Sequence, residues 1–256
     1  MTTHAIGETA ALTGRTLRHV SRSPDTVITT AVTPVAIMLL FVYVLGGAIS
    51  TGPDWSGSYV GYLLPGILLI TIASGVSYTA YRLFMDVSTG VLERFRSMPV
   101  VRSGALWAHV ATSLTANLVS LALVVGVALV MGFRSPASPL AWTGVVAILV
   151  LFTLALTWLA VVAGLSASSV EGASAFSYPL IFLPFVSSAF VPTETMPTPV
   201  RVFAEHQPAT VVVDAIRGLL DGHAVATDVW GAVGWCVGIL VVGSLLAVRV
   251  YRRRFP

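Results

Sequence analysis

The sequence predicts an all-α integral membrane protein with six transmembrane helices. Of its 256 residues, 56 % are hydrophobic and only 10 % are charged, whereas a soluble domain carries about 25 % charged residues. The charged residues are also clustered, and the stretches between the clusters exceed the roughly 20 apolar residues that a helix needs to cross a bilayer. These observations exclude a soluble globular, disordered, collagen-like or coiled-coil protein.

Each uncharged stretch is long enough for one span. The predicted spans are 27–49, 59–81, 104–131, 141–163, 173–191 and 229–248. We treat 1–256 as a single transmembrane domain that comprises an amphipathic cytoplasmic N-terminus (1–26), a six-span bundle (27–248) and a basic cytoplasmic tail (249–256). Within the N-terminus, apolar residues recur at helical spacing over 5–22, which is typical of a helix in the headgroup plane.

The distribution of arginine predicts the orientation. Eleven of the fourteen Arg residues precede span one, lie between spans two and three, or follow span six. Because positively charged loops stay in the cytoplasm, we expect both termini to be cytoplasmic in the inner (plasma) membrane. The apolar run after Arg22 is about twice as long as that of a signal peptide, so we interpret it as a retained first span.

The loop between spans two and three is predicted to form an amphipathic cytoplasmic helix over 83–98. Its apolar stripe consists of Leu83, Val87, Val91, Phe95 and Met98. Such a stripe fits a surface helix that caps the bundle, or a docking helix whose apolar side chains enter a groove on a cytoplasmic partner. Composition does not choose between these alternatives.

The segment 192–228 between spans five and six is far longer than an ordinary connection. One apolar face with charged residues opposite predicts an amphipathic helix over Ala209–Leu220, and Pro208 suits its start. We expect this extracellular helical hairpin to be a gate over a cavity, the alternative being a passive loop. The predicted gate residues are Val212, Asp214, Ile216, Arg217 and Leu219.

The sequence contains no pattern that predicts catalysis, a bound cofactor or a metal site. It has no Lys, so it lacks the phosphate-binding loop in which a Lys reaches the β- and γ-phosphates of ATP. Its His and acidic residues lack metal-ligand spacing. His109 is the only His, Arg, Asp or Glu residue within a predicted span, and we interpret it as an interfacial or bundle-facing polar contact rather than a proton relay.

Two motifs resemble those of a known family. Glu93-Arg94 followed by Ser97-Met98-Pro99 resembles the signature of type-2 ABC exporter permeases (the ABC-2 family), especially the daunorubicin-resistance-like branch. Gln207-Pro208-Ala209-Thr210 with Asp214-Ala215-Ile216-Arg217 is similar to the outer hairpin before the last helix of that family, although Ala209 occupies a position that is often bulkier. The resemblance covers essentially the whole chain.

The resemblance implies a permease subunit of an ATP-driven exporter that moves amphipathic drug-like or lipid-like substrates outward, as in multidrug efflux and antibiotic resistance. It implies two cytoplasmic ABC ATPase subunits, which would hold ATP and Mg²⁺, and a second permease copy, identical or different. The residues expected to couple the chain to the ATPase are Leu83, Val87, Val91, Glu93, Arg94, Phe95 and Pro99. Pro179 and Pro184 make span five a candidate moving helix, because each removes a helix hydrogen bond; static kinking is the alternative.

Two other functions stay open. A polysaccharide-exporting ABC permease would have the same fold, but its channel should be lined by polar and aromatic groups, and these spans are mostly aliphatic. A membrane scaffold would use the same spans only to bind partners. Membrane lipid is an expected partner and nucleic acid is not.

Overall fold

The computed structural model describes residues 24–46, 59–90 and 104–254. Within these ranges every regular element is helical, and four helices are long and apolar enough to cross a membrane. The predicted all-α membrane architecture is therefore confirmed. Four of the six predicted spans correspond to these long helices. The first and fifth predicted spans correspond to shorter apolar helices, Ala31–Leu45 and Val170–Val186.

The first half of the chain forms long helices. Helix α1 covers Pro24–Leu39 and continues as a π-helical turn, Leu40–Leu45. Helices α2, α3 and α4 then cover Tyr59–Ser88, Gly104–Val130 and Pro139–Ser166. Helix α4 begins where the Ser138 hydroxyl accepts a hydrogen bond from the Ala141 N–H, with Pro139 in the first turn.

The predicted fifth span is not one continuous helix. It is divided into α5 (Val170–Ala175), α6 (Ser177–Phe182) and a 3₁₀ turn (Leu183–Val186). Pro179 lies within α6 and Pro184 within the 3₁₀ turn, and a proline removes one backbone hydrogen bond from a helix. We call Val170–Val186 the broken segment.

The last part of the chain contains a hairpin of short helices and a long final helix. After a 3₁₀ turn at Thr193–Thr195, helices α7, α8 and α9 cover Thr198–His206, Pro208–Leu220 and Ala226–Arg254. The prediction of an amphipathic helix over Ala209–Leu220 is confirmed.

A separate helix over 83–98 is not what the structure shows. Leu83 and Val87 belong to the last turns of α2, which ends at Ser88. Gly90 follows with a φ of 71°, a left-handed conformation that ends helices and favours glycine. The rest of the predicted cytoplasmic helix, like the predicted helix over 5–22, lies outside the described residues.

Helix α2 is the centre of the bundle. It contacts α1, α3, α4, α5, α6 and α8, and Leu63, Ile67 and Ile72 on it are fully buried. Helix α9 packs mainly on α4 and α8 and leaves large apolar side chains such as Trp230 and Leu245 exposed. Because α9 is a span-length apolar helix, we assign this exposed face to lipid.

Helices α2, α3 and α4 meet at buried polar side chains and a glycine, which we call the three-helix junction: Thr79, Ser113, Asn117, Thr157 and Gly164. The Thr79 hydroxyl donates to Ser113 Oγ at 2.8 Å, and Ser113 Oγ lies 3.2 Å from Thr157 Oγ1. Thr157 also donates to the carbonyl of Thr153 on its own helix. These short side chains therefore link three helices without any charge.

Candidate functional site

Helix α8 covers one end of the bundle. Val212, Val213 and Ile216 are fully buried where α8 packs on α2, α4 and α9. Leu219 is partly buried and lies beside Gly144, near the start of α4. The apolar residues of the predicted gate therefore pack against the ends of the long helices, as an amphipathic helix requires.

Arg217 connects α8 to two distant parts of the chain. Its Nη1 donates to Asp214 Oδ1 at 2.8 Å, and its Nη2 donates to the carbonyl oxygens of Ser188 at 2.8 Å and Tyr62 at 3.3 Å. The guanidinium carbon also lies 4.1 Å from the centre of the Tyr62 ring, close enough for a cation–π interaction. We call Tyr62, Ser188, Asp214 and Arg217 the Arg217 cluster.

Hydrogen bonds within the cluster also fix the partners of Arg217. The Ser188 hydroxyl donates to Asp214 Oδ1 at 2.6 Å, and the Tyr62 hydroxyl donates to the Ser188 carbonyl at 2.9 Å. Burial raises the pKa of Asp214, and this effect exceeds the lowering by the Ser188 donor and the Arg217 cation. The cluster thus holds a partly desolvated ion pair.

Arg217 does not lie on a water-facing side of α8. Its side chain is 19 % exposed, whereas Asp221, the residue that follows α8, is exposed. The predicted charged face of α8 is therefore not uniformly exposed, because the Arg217 side chain is long enough to reach carbonyl groups at Ser188 and Tyr62. Sequence patterns gave no signal for these partners, which are 29 and 155 positions away.

Gln207 connects the start of α8 to the broken segment. It is buried, and its Nε2 donates to the carbonyl oxygens of Leu183 and Val186. The sequence analysis noted Gln207 only in a family motif. Pro184 is buried and Pro179 is exposed, so the two prolines of the predicted moving helix lie in different environments.

The other end of α2 contains the described part of the predicted coupling residues. Leu83 is fully buried against Leu106, Trp158 and Leu165, and Val87 packs at the edge of this group. Leu83 is therefore unavailable to a partner, which corrects the expectation that it fills a groove on the ATPase. Five other predicted coupling residues lie outside the described ranges: Val91, Glu93, Arg94, Phe95 and Pro99.

An ionisable pair joins α2 to α3 close to the predicted coupling segment. His109 Nε2 lies 3.1 Å from Asp86 Oδ2, in agreement with the interpretation of His109 as an interfacial or bundle-facing polar contact. Among the described residues, no group of three or more His, Cys, Asp or Glu side chains could hold a metal ion.

Comparison with known proteins identifies the family. Residues 7–220 match the ABC-2 type transporter family. The chain belongs to this family. This ABC-2 permease is 29 % identical to the daunorubicin resistance ABC transporter permease protein DrrB1 of Streptomyces coeruleorubidus over 96 % of this chain and 88 % of that protein. It is 28 % identical to the probable doxorubicin resistance ABC transporter permease protein DrrC of Mycobacterium tuberculosis (strain CDC 1551 / Oshkosh), over 97 % and 89 % of the two chains.

These matches confirm the family resemblance and the general function. The chain is a multi-pass membrane permease subunit of an ABC exporter. Membership of the family implies an ABC ATPase as partner, and permease subunits are not themselves ATPases. The Arg217 cluster and the predicted coupling segment both lie within the matched residues.

Proposed function

We propose that this permease moves amphipathic drug-like or lipid-like molecules out of the cell and that α8 is the gate at the outer end of their path. The observation that carries the proposal is the buried apolar face of α8, which Arg217 ties to α2 and to the chain after the broken segment. The names of the two relatives, which refer to daunorubicin and doxorubicin resistance, support this substrate class.

The proposed topology has six spans with both termini in the cytoplasm. Helix α1 with its π-helical extension serves as the first span, the broken segment serves as the fifth, and 192–228 faces outward. The Arg distribution supports this orientation in the inner membrane. After Cys236→Ala, single cysteines at the exposed residues Thr195 and Ser88 should react with an impermeant reagent from outside and inside, respectively. The reverse labelling pattern contradicts the topology.

The gate is closed at rest because its apolar residues are buried. Opening exposes Val212 and Ile216, and each fully buried aliphatic side chain costs about 1.5–3 kcal/mol to expose. Opening also breaks the hydrogen bonds from Arg217 to Ser188 and Tyr62. ATP-driven motion of the bundle supplies the free energy for this step, and the division of the broken segment at Pro179 and Pro184 makes it the element that moves.

Coupling takes place at the opposite end of α2. Two ABC ATPase subunits hold ATP and Mg²⁺, and they contact the segment after α2 through Val91, Glu93, Arg94, Phe95 and Pro99. A second permease copy completes the path. Phe95→Ala should weaken assembly or uncouple ATP hydrolysis from transport, since buried aromatic anchors are frequent hot spots at interfaces. Unchanged assembly and transport in both Phe95→Ala and Val91→Asp favour a lipid-facing helix instead.

The decisive experiment is ATP-dependent movement of daunorubicin in proteoliposomes that contain the permease and its ATPase. Ile216→Ser combined with Leu219→Ser should raise drug leak and basal ATP hydrolysis while assembly is retained, because both changes weaken the packing of α8. Val202→Ser, at an exposed position on α7, is the matched control.

The possible outcomes separate the proposals. Absence of ATP-dependent movement of amphipathic compounds by the parent excludes the drug-exporter proposal and leaves a polysaccharide exporter or a scaffold. A parent that transports, with a double variant that behaves like it, shows that α8 is a passive cover.

A further inference from the structure

We infer that Asp86 and His109 are positioning residues that clamp together the two ends of the segment through which the permease meets its ATPase. The inference rests on the proposed role of that segment in coupling. It assigns to this pair a role in transmitting motion from the ATPase to α2 and α3.

Asp86 and His109 lie on opposite sides of the segment along the chain, each within two helical turns of it. Asp86 lies in the last turn of α2, His109 lies in the second turn of α3, and residues 91–103 connect the two helices. After Asp86, the Thr89 N–H donates to the Met85 carbonyl and the Gly90 N–H to that of Val87. The end of α2 is therefore well defined, and a displacement of the segment reaches α2 one turn from Asp86.

Among the three contacts between an acidic and a basic side chain in the described residues, this one alone joins two helices. Arg201–Glu205 and Arg217–Asp214 each lie within one helix, whereas Asp86–His109 bridges α2 and α3 at 3.1 Å. The His109 side chain is 19 % exposed, and its neighbours Leu106 and Val110 are buried and apolar. These neighbours offer His109 no alternative side-chain hydrogen bond.

Asp86 gains nothing from its position in its own helix. The carboxyl end of a helix carries a partial negative charge, which disfavours an acidic side chain in the last turn. The contact with His109 on α3 supplies the hydrogen-bond partner that the end of α2 does not offer to Asp86.

The clamp links two helices that contact different parts of the bundle. Helix α2 contacts α8 and the broken segment, and α3 meets α2 and α4 at the three-helix junction. With the pair intact, a push on the segment moves α2 and α3 as one unit. Without it, the two helix ends move separately and less of the displacement reaches α8.

The test uses the assembled permease–ATPase complex in lipid nanodiscs. Spin labels are attached to cysteines introduced at Ser88 and Ala108 after Cys236→Ala. Double electron–electron resonance then reports the separation of the two helix ends. Asp86→Ala and His109→Ala should each broaden the distance distribution and abolish the stimulation of ATP hydrolysis by daunorubicin, while basal hydrolysis is retained. The exchange Asp86→His with His109→Asp should restore the distribution and the stimulation, and Arg201→Ala should change neither.

The outcomes distinguish the clamp from a general structural role. Unchanged distances in the single variants, or broadened distances with full stimulation, overturn the inference. Failure of the exchanged pair to restore either quantity also overturns it. If daunorubicin does not stimulate the parent, the proposed substrate fails, and the spin-label distances alone decide whether the pair clamps the two helix ends.

Discussion

The three-helix junction and the Arg217 cluster place polar groups inside the bundle in opposite ways. At the junction the side chains are short and uncharged, and Thr157 also bonds to its own helix. In the cluster a single long cation bonds to carbonyls 29 and 155 positions away. From this difference we predict that the junction depends on side-chain volume and tolerates loss of a hydroxyl, whereas the cluster depends on the hydrogen bonds of one residue.

The largest expected effect is steric and falls at the junction. A Cβ atom at Gly164 would lie 2.7 Å from the Ala80 carbonyl oxygen, and backbone cannot move aside as a flexible side chain can. Gly164→Ala should therefore lower the free energy of unfolding by about 1–3 kcal/mol, measured by denaturant titration in detergent. Gly238→Ala, where no neighbour lies within 4 Å, is the control and should be neutral or stabilising. Equal effects would show that close packing at Gly164 is unimportant.

The next effect tests the Arg217 cluster. Arg217→Met keeps much of the side-chain volume but removes its hydrogen bonds to Asp214, Ser188 and Tyr62. We expect a loss of about 1–2 kcal/mol in the same titration, because a buried polar group left without a partner costs about that much. Arg201, which forms an exposed ion pair with Glu205, provides the control, since Arg201→Met should have a much smaller effect. A similar loss in both variants would remove the distinction between the cluster and an ordinary surface pair.

A smaller effect is expected when polarity alone changes at the junction. Thr79→Val keeps the branched shape and removes the hydrogen bond to Ser113. Interhelical hydrogen bonds in membrane proteins contribute about 0.6 kcal/mol on average, so the unfolding free energy should fall by about that amount. A loss as large as that of Arg217→Met would mean that the junction also depends on polarity, and the contrast between the two regions would fail.

The smallest effect concerns the charge of Asp214. Burial raises the pKa of the Asp214 carboxyl above its ordinary 3.8. At pH values between 3.8 and the raised pKa of the folded state, the folded protein therefore binds more protons than the unfolded chain. Its contribution to stability therefore decreases as pH rises through this window and is constant above it. Asp214→Asn keeps an acceptor for Ser188 and Arg217, so stability at neutral pH should change little while this pH dependence disappears. Thermal unfolding from pH 3.5 upward measures it, and an unchanged pH dependence in Asp214→Asn would assign it to another group.

The sequence was sufficient for features that depend on local periodicity. The four long spans follow from apolar length, and α8 begins within one residue of its predicted start because Pro208 and the apolar spacing define it. The break in the fifth predicted span was harder to predict from the sequence. Pro179 and Pro184 indicated a kink, but a proline pattern does not tell whether a helix bends or divides.

Tertiary contacts determine what the sequence could not predict. The apolar spacing at Leu83 is the same whether this residue faces a partner or the bundle, and only its packing against Leu106 and Trp158 places it in the bundle. The direction of Arg217 likewise depends on carbonyls that folding brings near α8. Amphipathic spacing predicts where a helix lies in the sequence, but it does not predict what each face of that helix packs against.

The broken segment also has a consequence for the surrounding lipid. In the proposed topology this segment is the fifth span. Even as one continuous helix its 17 residues would extend only about 25 Å, several ångströms less than the roughly 30 Å of bilayer hydrocarbon. Such a hydrophobic mismatch is relieved when the bilayer thins locally around the short element. Tyr178 and Phe182 are exposed on this segment. With lipid around them, the adjoining acyl chains should tilt or become more disordered, and we expect the activity of the transporter to depend on lipid chain length.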